Sequence, residues 1–349
     1  MKHIFILNPA AGSGKSTSIL PNIISATKKH NIDYEIHRTL TSGDAHNFVL
    51  ARLVEAEKNG ENLRFYACGG DGTVNEVLGG ILGYQHDLDV DTTYDAREIC
   101  IELAIVPVGS GNDFVRNFPD IDNWLDIDAQ VLGSAKSIDA LRYELLDKVA
   151  PPPPESHSST AKIATVGYAL NMINMGFDAQ VVAETAQIKG PIIKGTTAYI
   201  AGVMKVLTKM QMVEMTVFAD GAEVLFATKS DRNSSQHSGT YLLAGAANGG
   251  YSGGGFKGLP MADVSDGFMD LLLVKDVTRK VFLSIVKKYH DGTHFDDPKL
   301  GSIIYHQSCK EAVFKPKEKM IVAIDGETVE VGAIKVGILP SVVRLSIPS

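Results

Sequence analysis

The chain has 349 residues, 44% of them hydrophobic, and a formal net charge of -8 at pH 7. A chain of this length usually divides into two domains, because a single hydrophobic core rarely grows so large. An acidic chain has no overall basic field for a polyanion, so we expect no nucleic-acid partner.

The cysteines and the apolar runs favour a cytoplasmic protein. Cys68, Cys100 and Cys309 are far apart and form no CxxC pair, which predicts reduced thiols rather than disulfides or zinc ligands. The first apolar run is too short for a signal peptide. No run approaches the ~18 residues of a membrane-spanning helix.

The first third of the sequence repeats one pattern three times. Short apolar runs at His3–Leu7, Leu63–Ala67 and Ile101–Pro107 each lead into a glycine-rich loop. Continuous apolar runs are typical of parallel strands that are buried on both faces. Helical spacing of apolar residues over Asp44–Asn59 and from Val74 onward fills the intervals. These residues predict a Rossmann-like α/β domain over 1–137.

The character of the sequence changes after this point. Pro151–Thr160 is rich in proline and serine and predicts a linker. Asp220-Gly221 between two apolar runs predicts a β-hairpin. We therefore expect a mainly antiparallel β-sandwich domain over 138–337. The predicted strands are Ile163–Met175, Val213–Ala219, Tyr241–Ala247, Phe268–Val274, Met320–Ile324, Ile334–Leu339 and Val342–Ile347, and the predicted helices are Tyr199–Lys209 and Thr278–Tyr289.

The loop after the first strand resembles a P-loop only in its letters. It ends in Gly-Lys-Ser at Ser16, but Pro9 stands where a P-loop has its first glycine. Proline has no N–H to offer a phosphate oxygen. We interpret the segment as a different kind of glycine-rich nucleotide loop.

The segment GGDGT, Gly69–Thr73, is the sharpest candidate for phosphate binding. Glycines allow close backbone approach, and a helix N-terminus attracts anions. Thr73 and Glu76 match a capping box, which predicts that the helix begins at Thr73. Asp71 would help to hold Mg²⁺ or orient the nucleotide, and Ser110 in GSGND would donate to a phosphate. The alternative is a pair of tight turns without a ligand.

Four segments together resemble the bacterial diacylglycerol kinase-like lipid kinases, relatives of the catalytic domains of sphingosine and ceramide kinases. These segments are NPAAGSGK, GGDGTVNEV, PVGSGNDF and GYSGGGFKGLPMADVSDGFMDLLLV, in this order along nearly the whole chain. The resemblance implies a nucleotide domain related to that of NAD kinases, a β-sandwich domain and a cleft between them. It also implies that the final segment, 338–349, returns to the first domain.

The resemblance further implies ATP as phosphoryl donor, Mg²⁺, and two sets of ligands. The metal would be bound by the Asp266 side chain and the carbonyls of Asp263 and Phe268, although a polar turn before a strand is the alternative. The residues implied to contact the nucleotide are Asn8, Pro9, Ala10, Ala11, Gly12, Thr39, Gly69, Gly70, Asp71, Gly72, Thr73 and Ser110.

The turn IDGE, Ile324–Glu327, carries the candidate base. Phosphoryl transfer to an alcohol needs a carboxylate that accepts the hydroxyl proton, and the resemblance assigns this role to Glu327 or Asp325. From the residues alone, an ordinary hairpin turn is the alternative.

The sequence thus predicts a soluble, cytoplasmic, ATP- and Mg²⁺-dependent lipid kinase of the phosphotransferase class with an alcohol acceptor. Its lipid substrate implies transient membrane-surface contact, for which Arg279, Lys280, Lys287 and Lys288 are candidates, and a homodimer is possible. The sequence does not identify the lipid substrate, which is a diacylglycerol-like or another hydroxylated lipid. The alternatives are a soluble small-molecule kinase, such as an NAD kinase, and a non-catalytic nucleotide-binding regulator.

Overall fold

The structure is a computed structural model that describes residues 1–90, 99–146, 165–188, 195–226 and 239–349. The predicted linker at 151–160 lies outside the described residues. The chain divides into two compact units, which we call the first unit (Met1–Asp139 with Ser341–Ser349) and the second unit (Ala140–Pro340).

The strands and helices are introduced here with their bounds. The strands are β1 (Lys2–Leu7), β2 (Tyr34–Arg38), β3 (Leu63–Gly69), β4 (Ile101–Pro107), β5 (Ser134–Leu145), β6 (Val166–Ala169), β7 (Met172–Gly176), β8 (Val213–Ala219), β9 (Ala222–Glu223), β10 (Gly239–Ala247), β11 (Met269–Lys275), β12 (Ile304–Cys309), β13 (Glu311–Pro316), β14 (Met320–Ile324), β15 (Glu327–Val331) and β16 (Ile334–Ile347). The helices are α1 (Lys15–Ser18), α2 (Leu20–Lys29), α3 (Asp44–Asn59), α4 (Asp71–Val90), α5 (Ile127–Leu132), α6 (Phe177–Ile188), α7 (Gly195–Lys209) and α8 (Arg279–Asp291).

The first unit is built on a parallel sheet in the order β2-β1-β3-β4. Every residue of β3 and β4 is buried, as the continuous apolar runs predict for strands covered on both faces. Near its end, β16 pairs in parallel with β4 through Leu345 and Leu103. The predicted α/β class is confirmed.

The second unit is mainly antiparallel, as predicted. β10 pairs with β7, β8 and β11, and β13 pairs with β8 and β16. One apolar cluster, which includes Met175, Val217 and Phe314, fills the interior of the sandwich. A second cluster joins the other face of β10 and β11 to the helices α6, α7 and α8, through residues such as Phe177 and Leu242.

The structure corrects several predicted elements. The segment predicted as one strand, Ile163–Met175, contains two strands, β6 and β7, which are separated at Leu170 and Asn171. The two predicted strands at the C-terminus are one strand, β16. α6 was not predicted, although Gly176, with a φ of +78°, ends β7 directly before this helix. Among the described helices, none has the length and apolar character needed to cross a bilayer.

Candidate functional site

Three glycine-containing loops meet at the carboxyl edge of the parallel sheet in the first unit. The first loop follows β1, the second follows β3 and the third follows β4. A side chain at Gly109 would overlap the Cα atom of Gly70, and the Gly109 N–H donates to the Gly69 carbonyl at 3.0 Å. A side chain at Gly12, where φ is +56°, would overlap the carbonyl oxygen of Val108. Glycine is therefore required at these contacts by the distance between backbones. The edge where the loops meet is the place where parallel α/β sheets bind ligands.

Asn8 holds the first of these loops. Its amide nitrogen Nδ2 donates to Thr73 Oγ1 at 2.9 Å, and its Oδ1 accepts from the Ala10 N–H at 3.0 Å. Its carbonyl accepts the hydroxyl of Ser16 and the N–H of Ala11. The side chain of Asn8 therefore fixes the loop to α4.

Asp71 holds the third loop against the same helix. Its Oδ2 accepts from the Asn112 N–H at 2.9 Å and its Oδ1 from the Asp113 N–H at 3.1 Å. Burial raises the pKa of this carboxyl, while the two amides and the charge of Arg116 oppose the rise. Both oxygens therefore bind protein amides, which makes loop positioning the role that the geometry supports for Asp71.

The predicted capping box at Thr73 and Glu76 is wrong. α4 begins two residues earlier, at Asp71, and the Gly70 carbonyl accepts the N–H groups of Thr73 and Val74. The Glu76 carboxylate instead accepts from the N–H groups of Gly43, at 2.9 Å, and Ala45, at 3.2 Å, at the start of α3. The competing N–H donors at the N-terminus of the neighbouring helix α3 are not visible in the sequence.

The remaining predicted nucleotide residues lie at the same edge. The Thr39 N–H donates to the Leu7 carbonyl at 2.9 Å, so Thr39 lies beside the end of β1. Ser110, Pro9 and Ala10 are exposed. With the N-terminus of α4, whose dipole is positive there, these groups make this edge a candidate site for an anion.

Arg116 was missed by the sequence reasoning. Its guanidinium donates to the Gly111 carbonyl at 3.4 Å and lies 3.5 Å from the Asp113 carboxylate. About a third of this side chain is exposed, so it adds a positive charge close to the loop that carries Ser110. The sequence signal that could have indicated Arg116 is its spacing of three residues from Asp113, which brings the two side chains together on a helical turn.

The Asp325 carboxylate accepts three backbone hydrogen bonds in the second unit. Its Oδ2 accepts from the Leu170 N–H at 2.7 Å, and its Oδ1 accepts from the N–H groups of Asn171 and Met172 at 3.0 Å each. φ is +45° at Asp325 and +89° at Gly326, as in the two-residue hairpin turn that joins β14 to β15. The segment therefore forms a hairpin turn, and Asp325 anchors this turn to the break between β6 and β7.

The anchor extends to the glycine-rich segment at 249–258. The Asn171 side-chain amide donates to the Tyr251 carbonyl at 2.7 Å, and the backbone carbonyl of Asn171 accepts from the N–H of Asn248 at 2.8 Å. Asn248 Nδ2 donates to the Leu170 carbonyl at 2.9 Å. The break between β6 and β7 thus ties the Asp325 turn to this segment.

Glu327 begins β15, directly after the turn, and is partly exposed. The pKa of the nearby Tyr143 hydroxyl is raised by burial first, and then by the charges of Glu327 and Asp325. The two predicted bases therefore lie close to one buried phenol, and Asp325 is held by three backbone amides.

The predicted metal loop is an exposed turn. Asp263 accepts from the N–H and hydroxyl of Ser265, and Asp266 accepts from the Phe268 N–H at 2.9 Å. Within the described residues, no three histidine, cysteine or acidic side chains are grouped as metal ligands. One carboxylate with backbone carbonyls is a donor set of hard oxygens, which fits Mg²⁺ or Ca²⁺ in chemical type.

Comparisons with known proteins bear on this architecture. Residues 2–143 match the diacylglycerol kinase catalytic domain. Residues 171–347 match the YegS C-terminal NAD kinase β-sandwich-like domain. The chain therefore belongs to the diacylglycerol kinase-like family in which this catalytic domain is followed by a YegS-type β-sandwich domain.

Two relatives are similar over almost their whole length. YtlR of Bacillus subtilis is 25% identical, with 99% of each chain covered. The probable lipid kinase YegS of Shigella flexneri is 26% identical, with 96% of this chain and 94% of that protein covered. A crystal structure of a diacylglycerol kinase from Bacillus anthracis has the same fold, with a TM-score of 0.62, 19% identity, and 99% and 96% of the two chains covered.

Proposed function

We propose that the protein is an ATP-dependent lipid kinase that transfers the γ-phosphate to the hydroxyl of a lipid, such as a diacylglycerol. The observation that carries the proposal is the meeting of three glycine-containing loops beside the N-terminus of α4. Backbone amides and a positive helix end suit phosphate oxygens. Phosphoryl transfer depends mainly on positioning and on charge neutralisation.

In this proposal the residues at the sheet edge have two kinds of task. Asn8 and Asp71 hold the loops through the hydrogen bonds described above. The backbone of Gly69–Thr73, the exposed hydroxyl of Ser110 and the segment 8–12 with Thr39 surround the nucleotide. Arg116 supplies positive charge near its phosphates.

Glu327 is the proposed base that accepts the proton of the lipid hydroxyl. Asp325 is less suited, because its two oxygens already accept three N–H groups, and each of these bonds favours the ionised form that a base loses on reaction. Asp325 instead positions the turn from which Glu327 extends.

Mg²⁺ would neutralise phosphate charge when bound. Asp266, with the carbonyls of Asp263 and Phe268, would hold a divalent cation in the second unit. A lipid substrate requires transient contact with a membrane surface, and we propose a peripheral, cytoplasmic enzyme.

The test is incubation of the purified protein with γ-labelled ATP, Mg²⁺ and a panel of membrane lipids, followed by extraction into organic solvent. We expect label in the organic phase. Asp71→Asn should reduce the rate by at least about tenfold. The substitution replaces one of the two oxygens that accept a backbone N–H with a nitrogen that cannot accept it. Asp122→Asn, at an exposed acid in the same unit, is the matched control and should retain the rate.

Two other outcomes would contradict the proposal. Label that stays in the aqueous phase would indicate a soluble-metabolite kinase. Measurable ATP binding without transfer to any lipid of the panel would favour a nucleotide-binding regulator.

A further inference from the structure

The glycine-rich segment of the second unit contains a lysine, Lys257, whose backbone and side chain are both held in place. Its N–H donates to the His290 carbonyl at 3.1 Å. Its methylene groups pack against Gly292, where an added Cβ would lie 2.8 Å from the lysine Cδ. Its ammonium lies over the ring of Tyr251, 5.7 Å from the centroid, which is within the range of a cation–π contact. The side chain is therefore ordered before any ligand binds.

No acidic side chain within the described part of the chain forms an ion pair with Lys257. By contrast, the nearby Lys287 and Lys288 of α8 are paired with Asp291 at 2.8 Å and with Asp297 at 2.6 Å. A lysine ammonium has three N–H donors, and an aromatic face attracts its charge without accepting these donors as a carboxylate does. The Lys257 ammonium is therefore available to an anion.

A turn of three glycines, 253–255, lies two residues before this lysine. Hydrogen bonds between Ser252 and Phe256 close the turn, with the N–H of each donating to the carbonyl of the other at 2.9 and 2.8 Å. The three φ values are +60°, +80° and +118°, which favour glycine. Gly254 is exposed, and a Cβ added there would have no atom within 4 Å. The turn therefore leaves open space next to the segment that carries Lys257.

These features favour an anion of high charge. Binding normally restricts a lysine side chain at a cost in conformational entropy, and here Tyr251 and Gly292 already restrict it. A phosphate monoester carries about two charges at pH 8, so it gains more from one ammonium than a carboxylate does.

We propose that Lys257, with the open turn 253–255, binds a phosphate group. The phosphate belongs either to a lipid head group or to a nucleotide, and the experiment separates these two sources. The inference depends on the contacts of Lys257 and not on the proposed kinase reaction.

The experiment is calorimetric titration of the full chain at pH 8 and low salt, in two arms. In the first arm, ATP is titrated into the chain. In the second arm, hexyl phosphate or hexanoate is titrated into the chain saturated with a non-hydrolysable ATP analogue, which fills the proposed nucleotide site. The second arm thus measures a phosphate that does not belong to the nucleotide.

Lys257→Met removes the charge and keeps most of the length of the side chain. It should weaken ATP in the first arm or hexyl phosphate in the second by at least about tenfold, since a charge-assisted contact is lost. Lys257→Arg should restore most of the affinity. The matched control is Lys319→Met, at an exposed lysine of the same unit, which should change neither arm.

Gly292→Ala tests the ordering of the lysine without a change in charge. Its methyl group would displace the Lys257 methylenes, and we expect about threefold weaker binding of the same phosphate ligand. Circular dichroism would show that each variant folds.

The arms assign the source of the phosphate. A loss of hexyl phosphate affinity in Lys257→Met indicates a lipid head group, and a loss of ATP affinity alone indicates a nucleotide, so either supports the site. Unchanged affinities in both arms, equal losses in Lys257→Met and Lys319→Met, or a loss as large for hexanoate as for hexyl phosphate would overturn the inference. Phosphate binding through Lys257 by a chain that phosphorylates no lipid would contradict the proposed function alone.

Discussion

The two units hold their candidate loops by different means. In the first unit, Gly12 and Gly109 bring backbones so close that no side chain fits. In the second unit, the side chains of Asp325 and Asn171 span the distance between three segments and bind their backbone groups. The first unit adds side-chain bridges from Asn8 and Asp71, and Asp71 accepts two loop amides, whereas Asp325 in the second unit accepts three. The comparison explains why we assign phosphate binding to the first arrangement and support of a catalytic carboxylate to the second.

The largest expected effect on stability is that of Asp325→Ala. It would leave three buried N–H groups without an acceptor and place alanine at a positive φ. We expect a loss of about 4 kcal/mol in the free energy of unfolding, measured in urea by circular dichroism. The matched control is Asp220→Ala. Asp220 has a φ of +48° in the β8–β9 hairpin and accepts the amides of Lys310 and Glu311, but it is exposed. A loss as large in the control would show that burial of the amides is unimportant.

Asp178, in the first turn of α6 in the second unit, sharpens the comparison, because no amide of the described residues bridges to its carboxylate. The folded state keeps its proton up to about pH 7, whereas the unfolded state releases it near the ordinary value of 3.8. This carboxyl therefore lowers stability progressively as the pH rises from about 4 to 7, and fully above that. Relative to the wild type, Asp178→Asn should gain about 2 to 4 kcal/mol between pH 4 and pH 8. A difference between the two proteins that does not change with pH would contradict the raised pKa.

Gly109→Ala tests the backbone contact in the first unit. The added methyl group would push the third loop away from Gly70, at a cost of about 2 kcal/mol and a loss of ATP affinity. Fluorescence of Trp124, the single tryptophan, which is buried in this unit, would follow unfolding. Gly83→Ala in α4, where the nearest atom is 3.9 Å away, should be neutral or stabilising. Unchanged ATP binding in Gly109→Ala would separate the loop contact from nucleotide binding.

The smallest effect concerns Glu76. Its carboxylate accepts two N–H groups at the start of α3, so Glu76→Gln should cost about 1 kcal/mol in urea unfolding of the first unit. Exposed Glu55 on α3 provides the control variant Glu55→Gln. Equal and negligible losses in both would restore the capping box predicted from the sequence.

Much of the fold could be predicted from the sequence because its signals are local. Continuous apolar runs identified β3 and β4, the Asp220-Gly221 pair identified a hairpin, and Thr278 stands at the N-cap of α8. The break between β6 and β7 could not be predicted, because its cause is the carboxylate of Asp325, more than 150 residues later. The partner of Glu76 is distant in the same way.

In the candidate site, too, local features could be predicted from the sequence and contacts between distant residues could not. Glycines marked the loops that follow strands, since a strand followed by glycines is a local pattern. The roles of Asn8 and Asp71 as loop anchors depend on Thr73, Asn112 and Asp113, and spacing along the chain gives no sign of these contacts. Arg116 was missed for a similar reason, because its contacts with Gly111 and Asp113 are brought together by folding.

The most direct test compares two glutamates of one strand, β15, in the transfer of labelled phosphate from ATP to lipid. Glu330 is exposed and Glu327 adjoins the anchored turn. Glu327→Gln should lower kcat by at least about 100-fold, as loss of a general base does, with ATP binding retained, while Glu330→Gln keeps the wild-type kcat. Equal kcat values for the two variants and the wild type would contradict the assignment of Glu327 as the base for lipid phosphorylation.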